Sequence, residues 1–330
     1  MKDFDALSNR GQQLRLRRLA ERALAEYGVR RYAMRALLHR QNTTFRVDAA
    51  GRRYVLRISR PGAPPALIRS ELQWLRAIRR DAALAVPEPV PAADGRLAVE
   101  AAAEGVPQAR VCSLFGWVEG RFRRPEHFGP AAIGAVGRFM GELHRHAAGF
   151  APPAGFARPR MDYAGIVGAA HGGSLEGLLR VVPAEGRPLV ERVARRTRDA
   201  MRALGQGPEV FGLIHADLHA KNYLFDRGRV GAIDFDACSR GYYLSDIAAT
   251  TRMLRHPRFS ADQVADAFLA GYREARALPE GLRRRLGLFK AANSLMLAVW
   301  MSGRGDNPLL RAQAAEFIAH QLEQMRCWAA

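Results

Sequence analysis

Residues 210–246 read VFGLIHADLHAKNYLFDRGRVGAIDFDACSRGYYLSD and contain three short apolar runs separated by polar residues. The first run ends abruptly at His215-Ala216-Asp217. The other two, Tyr223–Phe225 and Val230–Ile233, flank the link Asp226-Arg227-Gly228. Because a short glycine-containing link between two β-prone runs is typical of a tight turn, this stretch predicts a strand, a loop and a β-hairpin.

The predicted hairpin brings two oxygen-bearing side chains together. If the chain turns at Gly228, Asn222 lies opposite Asp234, and opposed residues have Cβ atoms roughly 4.5–5.5 Å apart. Asp217 precedes Asn222 by five residues, in the loop that leads into the hairpin. Oxygen ligands of this kind suit Mg²⁺, which takes one or two protein carboxylates and keeps water and substrate phosphates as further ligands.

The spacing of these residues is that of a phosphoryl-transfer site. It has the form H-x-D-x-x-x-x-N followed by D-F-x, in which the first Asp orients the attacking hydroxyl while Asn and the second Asp bind metal. We therefore predict that Asp217 is catalytic and that Asn222 and Asp234 are metal ligands. Taken alone, an Asp in a loop is more often a turn former or a helix cap, so the prediction depends on the three residues together.

The motifs HADLHAKNYLF, AIDFD and GYYLSDIA resemble the aminoglycoside phosphotransferase and choline kinase superfamily, which has a protein-kinase-like fold. Within it, the chain resembles most the branch of a bacterial stress-response kinase and a type II homoserine kinase. The resemblance implies an α+β, bilobal fold. Residues 1–118 would form a small antiparallel-sheet lobe with one key helix that binds nucleotide phosphates, and residues 119–330 a larger, mainly helical lobe with the catalytic loop, metal site and acceptor pocket. It also implies ATP and Mg²⁺ as cofactors.

The resemblance assigns supporting roles near the catalytic loop. It implies that His215 holds the loop in shape and that Asp246, in a G-x-x-x-x-D segment beginning at Gly241, accepts hydrogen bonds from the loop backbone. Asp246 could instead cap a helix spanning Ile247–Leu254. Asp236 is either a second acid near the metal or a solvated side chain.

Two polar residues in the N-terminal half are candidate phosphate contacts. Asn42 and Thr43 stand at the start of a predicted strand hairpin formed by Gln41–Val47 and Tyr54–Ile58. The resemblance places a loop that covers the phosphates there. The chain has no G-x-G-x-x-G motif there, although backbone amides and small polar side chains can also bind phosphate. An ordinary turn remains an equally good interpretation of either residue.

A buried ion pair is expected between Arg57 and Glu71. The predicted helix Ala66–Arg80 carries Glu71 within its apolar arc, and a buried carboxylate needs a partner. Glu71 follows Arg57 by 14 residues, as the helix glutamate follows the strand cation in kinases. The resemblance implies that both residues serve nucleotide binding, with Arg57 holding the α- and β-phosphates. The alternatives are that Glu71 pairs with another arginine and that Arg57 faces solvent.

The segment Phe115–Gly120 resembles the hinge between the lobes of this family. The resemblance implies that the Gly116 carbonyl and the Val118 amide contact the adenine edge, with Phe115 at the back of the pocket. A buried strand end followed by a turn is the alternative.

The C-terminal part is predicted to be mainly helical. Ala131–Ala148 carries a core stripe, and its His144 and His146 are assigned to core or surface roles and not to a metal. Three more helices are predicted at 261–275, 280–302 and 308–326. By position, the candidate residues of an acceptor pocket are Trp300, Arg304, Asp306 and Asn307.

The chain is strongly basic, with 51 Lys and Arg against 32 Asp and Glu and a formal charge of +19. Residues 1–80 alone contribute 19 basic and 6 acidic residues. Such a surface raises a nucleic-acid hypothesis, or could steer anionic ATP toward its site. Only three of the 51 basic residues are lysines, and this preference for arginine also fits a GC-rich genome. Nucleic-acid binding is therefore not favoured.

The cysteines and the hydropathy pattern indicate a cytoplasmic protein. Three widely spaced cysteines fit a reducing compartment better than a disulfide framework or a zinc site. No secretory signal is recognised at the N-terminus, and the most apolar segment, Ala291–Met301, is too short and polar for a membrane helix. The oligomeric state is not predicted.

The resulting hypothesis is an ATP- and Mg²⁺-dependent phosphotransferase that moves the γ-phosphate to a hydroxyl of a small molecule. A Ser/Thr protein kinase of the stress-response type would use the same site, but no activation-loop phosphosite or APE-like segment is visible. An aminoglycoside kinase would need an acidic acceptor pocket, which the net positive charge disfavours. An alternative from another class of protein is a catalytically silent or nucleic-acid-binding module. The presence of the predicted catalytic Asp and of both predicted metal ligands speaks against a silent module.

Overall fold

The computed structural model describes residues 3–168, 172–254, 256–278, 281–304 and 308–328. The chain divides into two compact units: Met1–Glu119 with Pro152–Ala157, and Gly120–Ala151 with Arg158–Ala330. The first unit is built mainly from a sheet and the second mainly from helices. In the described ranges, none of the helices has the length and apolar character of a membrane span.

One antiparallel sheet dominates the N-terminal unit, in the order β1-β2-β3-β6-β4 with β5 pairing β6. Its elements are α1 (Asn9–Glu26), β1 (Ala33–His39), β2 (Thr43–Ala49), β3 (Arg52–Ile58), α2 (Pro65–Asp81), β4 (Pro89–Val90), β5 (Val99–Ala101) and β6 (Arg110–Gly116). The sequence analysis missed β1, because its sequence AMRALLH lacks the β-branched residues that favour strands. The two residues of β4 lie within the Pro-rich segment Val86–Pro91.

The core of the N-terminal unit lies between α1 and the sheet. The buried face of α1 includes Leu16, Leu19 and Leu24, which belong to one apolar cluster with Phe45 and Leu56 of the sheet. Helix α2 has a wide buried face and carries Glu71 on it, as the sequence predicts. The unit therefore fixes both β3 and α2, which together present the predicted ion pair.

The C-terminal unit combines helices with two small sheets. Its elements are α3 (Pro130–Gly149), β7 (Arg160–Met161), α4 (Tyr163–Val167), α5 (Leu175–Val181), α6 (Arg187–Leu204), β8 (Phe211–Ile214), β9 (Tyr223–Asp226), β10 (Arg229–Ala232), β11 (Ser239–Tyr242), α7 (Tyr243–Met253), α8 (Ala261–Ala275), α9 (Leu282–Ser302) and α10 (Pro308–Trp328). β9 and β10 form the predicted hairpin, and β7-β11-β8 form the second sheet. The three predicted C-terminal helices correspond to α8, α9 and α10.

Helices α3 and α8 approach each other closely through glycines. A Cβ added at Gly137 would lie 2.0 Å from the Phe268 carbonyl oxygen, and one added at Gly271 would lie 1.8 Å from the Gly134 carbonyl oxygen. Side chains at these positions would force the two helices apart. This close packing places His144 of α3 in the core, where its ring contacts Tyr272 of α8 and Asp246 of α7.

The register of the β9-β10 hairpin corrects the sequence prediction by one residue. Tyr223 pairs with Ala232, so Asn222 lies opposite Ile233 and not opposite Asp234. The cause is the turn: Arg227 and Gly228 both have positive φ angles, 46° and 82°, as in a two-residue type I′ turn. The prediction had assumed a turn centred on the single residue Gly228, which would contain an odd number of residues. The observed turn contains two residues, Arg227 and Gly228, and this shifts the register by one.

Candidate active site

Asp246 anchors the loop that follows β8. Its two carboxylate oxygens accept hydrogen bonds from the backbone amides of His215 and Ala216, each at 2.8 Å. The predicted role of Asp246 as an acceptor for the loop backbone is confirmed. The alternative role as a helix cap is wrong, because α7 begins at Tyr243 and Asp246 lies within its first turn.

A fully buried histidine completes the hydrogen bonding of Asp246. His144 Nε2 lies 3.2 Å from Asp246 Oδ2, and His144 Nδ1 lies 2.9 Å from the hydroxyl of Tyr272. Since an ionised carboxylate only accepts, Nε2 carries the proton and Nδ1 accepts from the tyrosine. Burial lowers the pKa of His144 and keeps the ring neutral. Burial alone would raise the pKa of Asp246, but its hydrogen bonds outweigh burial and hold that pKa below the ordinary value. His144 therefore has a core role, as predicted.

His215 holds the catalytic loop against the hairpin. It is fully buried, its Nε2 lies 3.1 Å from the Ile233 carbonyl oxygen, and its Nδ1 accepts from the Asp217 amide at 3.3 Å. Burial lowers the pKa of this ring as well. Both ring nitrogens are therefore used within the protein, which agrees with a structural role.

The Asp217 carboxyl lies in a partly desolvated, negatively charged environment. Its side chain is 50% exposed, yet partial burial, together with the negative charges of Asp236 and Asp246, raises its pKa to about 7. The hydrogen bond from Asn222 acts in the opposite direction. A carboxyl with a pKa near neutrality is well matched to accept a proton from a hydroxyl at physiological pH.

Asn222 is bound directly to Asp217. Its side-chain nitrogen donates to the Asp217 carbonyl oxygen at 2.8 Å and approaches Asp217 Oδ2 at 3.4 Å. Asn222 is 5% exposed, and its backbone carbonyl oxygen accepts from the Ile233 amide at 3.0 Å. Since its side-chain nitrogen is engaged by Asp217, the side-chain oxygen is the atom that could coordinate a cation.

Asp234 immediately follows the residue that pairs with Asn222. It is exposed and has left-handed backbone angles, φ 68° and ψ 60°, a conformation that Asp adopts more readily than most residues. The chain turns sharply there and enters a short helix, Phe235–Ala237. Asp234 therefore lies one residue beyond the position opposite Asn222, at the point where the chain leaves the hairpin.

The oxygen atoms of Asn222 and Asp234 fit a hard divalent cation. In the part of the chain that the structure describes, no group of three or more His, Cys, Asp or Glu could hold a metal ion. Two protein oxygen ligands, completed by water and nucleotide phosphates, are a common arrangement for Mg²⁺. The donor chemistry therefore fits Mg²⁺ bound together with a nucleotide.

In the N-terminal unit, the predicted ion pair between Arg57 and Glu71 is confirmed. Two hydrogen bonds of 2.7 Å join the guanidinium to both carboxylate oxygens, and the side chains are 7% and 2% exposed. The Arg57 guanidinium carbon also lies 5.1 Å from the centre of the Phe115 ring. Glu71 and Phe115 together fix the orientation of the guanidinium.

Asn42 lies in the connection between β1 and β2, and Thr43 is the first residue of β2. The sequence analysis associates both residues with phosphate binding. Asn42 Oδ1 accepts from the Arg60 amide at 3.0 Å, and the Thr43 hydroxyl lies 2.7 Å from His39 Nδ1. His39 also lies 2.9 Å from the Gln12 side chain of α1. The connection is thus braced by its neighbours, and its contact with phosphate stays a prediction.

The segment predicted to contact adenine begins at the end of β6. The Gly116 amide donates to the Glu88 carbonyl at 2.8 Å, and the Trp117 amide donates to the Arg53 carbonyl at 3.1 Å. Val118 is the second residue after the strand ends. The contacts assigned to the Gly116 carbonyl and the Val118 amide stay predictions.

Two residues near the site were missed by the sequence analysis. His219 Nε2 lies 3.6 Å from Asp217 Oδ2, and its position two residues after Asp217, the predicted catalytic residue, was a usable signal. Arg158 is buried and donates to the carbonyl oxygens of Asp236 and Cys238, both at 2.5 Å. It braces the segment after Asp234 from a loop that is distant in the sequence, and no local pattern indicates this contact.

A pocket adjoins the catalytic loop within the C-terminal unit. It is lined by Met161, Ile166, Ile214, Ala216, Ser245, Asp246, Ala249, Phe289, Ala292, Asn293 and Met296. Two of the predicted acceptor residues lie elsewhere: Trp300 packs beside an apolar cluster of the unit, with the Arg304 guanidinium 4.8 Å from its ring centre. The other two, Asp306 and Asn307, lie outside the described residues.

Comparison with known proteins agrees with this geometry. An uncharacterized protein of Deinococcus radiodurans is 32% identical over 284 residues, which cover 84% of this chain and 79% of the relative. The structure of the microcompartment-associated aminopropanol kinase matches this chain with a TM-score of 0.79 and 28% sequence identity. The match covers 94% of this chain and 97% of that kinase. The amicoumacin kinase hAmiN, solved in complex with AMP-PNP, Ca²⁺ and Ami, shares the fold, with a TM-score of 0.74. Its sequence is 18% identical, and the match covers 95% of this chain and 93% of hAmiN.

These similarities confirm the α+β, protein-kinase-like fold and the class of reaction, transfer of a phosphoryl group to a hydroxyl. The finer placement beside the stress-response and homoserine kinases stays a prediction. The family model named "Phosphotransferase enzyme family" matches residues 34–285, which include the Arg57–Glu71 pair, the catalytic loop and the hairpin. With most of its length matched, and with the residues of the motif held together as described above, the chain belongs to the phosphotransferase enzyme family.

Proposed function

We propose that this phosphotransferase moves the γ-phosphate of ATP to a hydroxyl of a small molecule and requires Mg²⁺. The observation that carries the proposal is the bonding of Asn222 to Asp217, at 2.8 Å and 3.4 Å, beside the turn that presents Asp234. The relatives support it: one is an aminopropanol kinase, and a kinase of the same fold was solved with the ATP analogue AMP-PNP and a divalent cation.

In the C-terminal unit, Asp217 would accept a hydrogen bond from the acceptor hydroxyl and take its proton. The raised pKa of this carboxyl makes it a better proton acceptor than an ordinary aspartate. Asn222 and Asp234 would hold Mg²⁺, which, when bound, would neutralise charge on the β- and γ-phosphates. Asp246 would keep the loop backbone in position through its two 2.8 Å bonds.

In the N-terminal unit, Arg57 would contact the α- and β-phosphates. Its planar guanidinium matches the geometry of phosphate oxygens, and the paired bonds to Glu71 fix its direction. Asn42 would contribute from the β1-β2 connection and Thr43 from the start of β2. Phe115, Gly116 and Val118 would surround the adenine. Positioning and charge neutralisation supply most of the rate in such reactions, so these fixed side chains matter more than covalent chemistry.

Thermal unfolding with and without MgATP tests the nucleotide site. A ligand present at 100 times its Kd stabilises the native state by about 2.7 kcal/mol, which gives a clear shift in Tm. Asp234→Asn is the appropriate variant, because Asn removes the charge yet tolerates the left-handed backbone that Ala would strain. Asp226→Asn is the matched control, since Asp226 is an exposed residue of the same hairpin.

The proposal expects MgATP to raise the Tm of the wild type and of Asp226→Asn and to leave Asp234→Asn unshifted. A parallel assay follows transfer of radiolabelled γ-phosphate to hydroxyl compounds, in which Asp217→Ala should lower kcat by roughly 10²-fold or more. An unshifted wild type at millimolar MgATP would contradict the nucleotide assignment. Undiminished transfer by Asp217→Ala would remove Asp217 from the mechanism.

A further inference from the structure

His219 lies beside the carboxyl of Asp217 but has no part in the mechanism proposed above. Its Nε2 is 3.6 Å from Asp217 Oδ2, and the two side chains are 21% and 50% exposed. An N–H···O bond measures about 2.7–3.2 Å, so this contact is slightly longer than a hydrogen bond. Hydrogen bonds around a catalytic base are often long and shorten when substrate binds. The distance is therefore one that a positioning contact can have.

The backbone holds His219 in this place. The His219 amide donates to the Asp217 carbonyl oxygen at 3.1 Å, and the His219 carbonyl oxygen accepts from the Asn222 amide at 2.7 Å. Leu218 stands between Asp217 and His219, and its carbonyl oxygen accepts from two buried side-chain hydroxyls at 2.8 Å and 2.7 Å. These bonds fix the turn that carries both side chains, so the place from which the His219 ring extends is set relative to Asp217.

One hydrogen bond decides which ring nitrogen of His219 carries the proton. Nδ1 accepts from the Lys221 amide at 3.2 Å, and a ring nitrogen that accepts carries no proton. Burial lowers the pKa of His219 and keeps the ring neutral, so its single proton is on Nε2. The group that faces Asp217 Oδ2 is therefore an N–H donor.

The two oxygens of the Asp217 carboxylate have different surroundings. Oδ2 lies near two donors, His219 Nε2 at 3.6 Å and Asn222 Nδ2 at 3.4 Å. The shorter bond of Asn222 Nδ2, at 2.8 Å, goes to the Asp217 carbonyl oxygen, so Asn222 alone holds Oδ2 weakly. Among the residues that the structure describes, Oδ1 has no hydrogen-bond partner. Oδ1 is therefore the oxygen that can accept from a hydroxyl.

A neutral donor is suited to orienting a base. A cation beside Asp217 would lower the pKa of the carboxyl and make it a weaker base, whereas the neutral His219 ring leaves that pKa at about 7. A half-exposed carboxyl that is not held can rotate away from the hydroxyl, and a misplacement of about 1 Å can cost roughly 10²-fold in rate. Loss of the His219 contact should therefore lower kcat and leave nucleotide binding unchanged.

We propose that His219 is a positioning residue for the base: its Nε2–H, together with Asn222, holds Oδ2 of Asp217 and so directs Oδ1 toward the acceptor hydroxyl. The inference rests on the proposed function and adds a residue to it. The acceptor oxygen forms a bond to the γ-phosphorus as the bond from that phosphorus to the β–γ bridging oxygen breaks. ADP leaves with that electron pair, and the hydroxyl proton passes to Oδ1. His219 neither gains nor loses a proton.

Two substitutions that each keep one nitrogen's function separate this role from a role in the turn. In His219→Gln, the side-chain nitrogen can take the place of Nε2 and donate to Asp217, but no acceptor replaces Nδ1. In His219→Asn, the side-chain oxygen can accept from the Lys221 amide as Nδ1 does, but the shorter side chain brings no donor to Asp217. A positioning role requires the first function, and a role in the turn requires the second.

The assay is the hydrolysis of MgATP by the whole chain, with water in the place of the acceptor hydroxyl. Asp217→Ala gives the rate that does not depend on the base. His127→Asn changes an exposed histidine of the same unit and is the control. The KM for MgATP and the MgATP-induced shift in Tm are measured for every variant, because they report nucleotide binding separately from kcat.

His219→Asn should lower kcat by roughly tenfold, less than the loss of roughly 10²-fold expected when the base itself is removed. Its KM for MgATP and its shift in Tm should equal those of the wild type. His219→Gln should retain most of the wild-type kcat, and His127→Asn all of it. If His219→Asn does not fold, His219→Leu fills the same space without a donor and should show the same loss.

The outcomes separate this inference from the proposed function. A loss of kcat in His219→Gln but not in His219→Asn would show that Nδ1 and the turn matter, and equal kcat values in the two variants would also overturn the inference. A raised KM for MgATP with a smaller shift in Tm would assign His219 to the nucleotide instead. In each of these cases, the proposed function stands if Asp217→Ala lowers hydrolysis. Hydrolysis that Asp217→Ala does not lower would remove the base and this inference together.

Discussion

Arg57 and Glu71 meet through two hydrogen bonds of 2.7 Å in a region where both side chains are almost fully buried. Taking two charges out of water is costly, and their mutual attraction repays much of that cost only while both partners are present. A pair of this kind therefore contributes little net stability compared with apolar residues. Its value lies in fixing the direction of the guanidinium, which the proposed function uses.

Glu71→Ala should destabilise the protein by about 3–5 kcal/mol, because it leaves the Arg57 charge buried without its carboxylate. The double substitution Arg57→Met with Glu71→Leu replaces the pair by apolar side chains and should recover most of that loss. Urea unfolding measures both free energies, and the MgATP-induced shift in Tm measures nucleotide binding. The double variant should fold but lose the shift. A double variant that still binds MgATP with wild-type affinity would show that Arg57 does not contact the nucleotide.

In an Asp217→Asn background, which removes the opposing titration of the Asp217 carboxyl, the free energy of unfolding should fall as the pH is lowered below about 6.5, the ordinary pKa of histidine. Burial lowers the pKa of His144 and of His215 in the native protein, so the unfolded chain binds protons first and stability declines with acid. Asp246, whose native pKa is also lowered, adds to the decline at more acidic pH, where the unfolded carboxylate is protonated first. Urea unfolding at a series of pH values measures the slope.

His144→Phe serves as the control for that pH dependence. It retains a ring of similar size but cannot titrate, so part of the loss of stability below about pH 6.5 should disappear. The variant should be less stable than the wild type at neutral pH, because Asp246 and the Tyr272 hydroxyl lose a partner. An unchanged slope would mean that His144 does not titrate differently in the folded and unfolded states.

Asp217→Asn should become more stable relative to the wild type as the pH rises from about 4 to about 8. The native pKa of Asp217 is raised to about 7, above that of an unfolded aspartate, so ionisation costs native stability across this interval. The difference in the free energy of unfolding between Asp217→Asn and the wild type reaches its full size only above the native pKa of Asp217. Urea unfolding without nucleotide or metal measures it, and Asp226→Asn provides an exposed aspartate of the same hairpin as a control. A difference that is independent of pH would contradict the raised pKa.

Local patterns were sufficient to predict the catalytic motif, the hairpin and the C-terminal helices. The order of polar groups around Asp217 and the helical periodicity near Glu71 are properties of short segments, and periodicity also defines α8, α9 and α10. The ion pair could be predicted because a buried carboxylate must find a cation, and Arg57 occupies the kinase position for that cation.

Features that depend on contacts distant in the sequence could not be predicted in the same way. Arg158 binds the carbonyl oxygens of Asp236 and Cys238 from a loop without a pattern, and His144 reaches Asp246 only because α3 and α8 pack through glycines. The hairpin register was wrong by one residue because it depends on the φ angles of Arg227 and Gly228. The pocket beside the catalytic loop likewise combines residues from several elements.

Ala216→Gly should stabilise the protein. Glycine relieves the strain of the left-handed backbone at φ 69°, roughly 1–2 kcal/mol, but costs about 0.5–1 kcal/mol in backbone entropy. The net change should therefore be a gain between about zero and 1.5 kcal/mol in the free energy of unfolding. Urea unfolding measures this gain.

Ala50→Gly is the matched control for this variant. Ala50 also has a positive φ, 50°, in the exposed turn between β2 and β3 of the N-terminal unit. It should show a similar gain in the free energy of unfolding, because its backbone lies in the same left-handed region. A gain at Ala50 without one at Ala216 would mean that the methyl group of Ala216 makes contacts in the folded protein that offset its backbone strain. Equal gains would mean that backbone strain alone accounts for both changes.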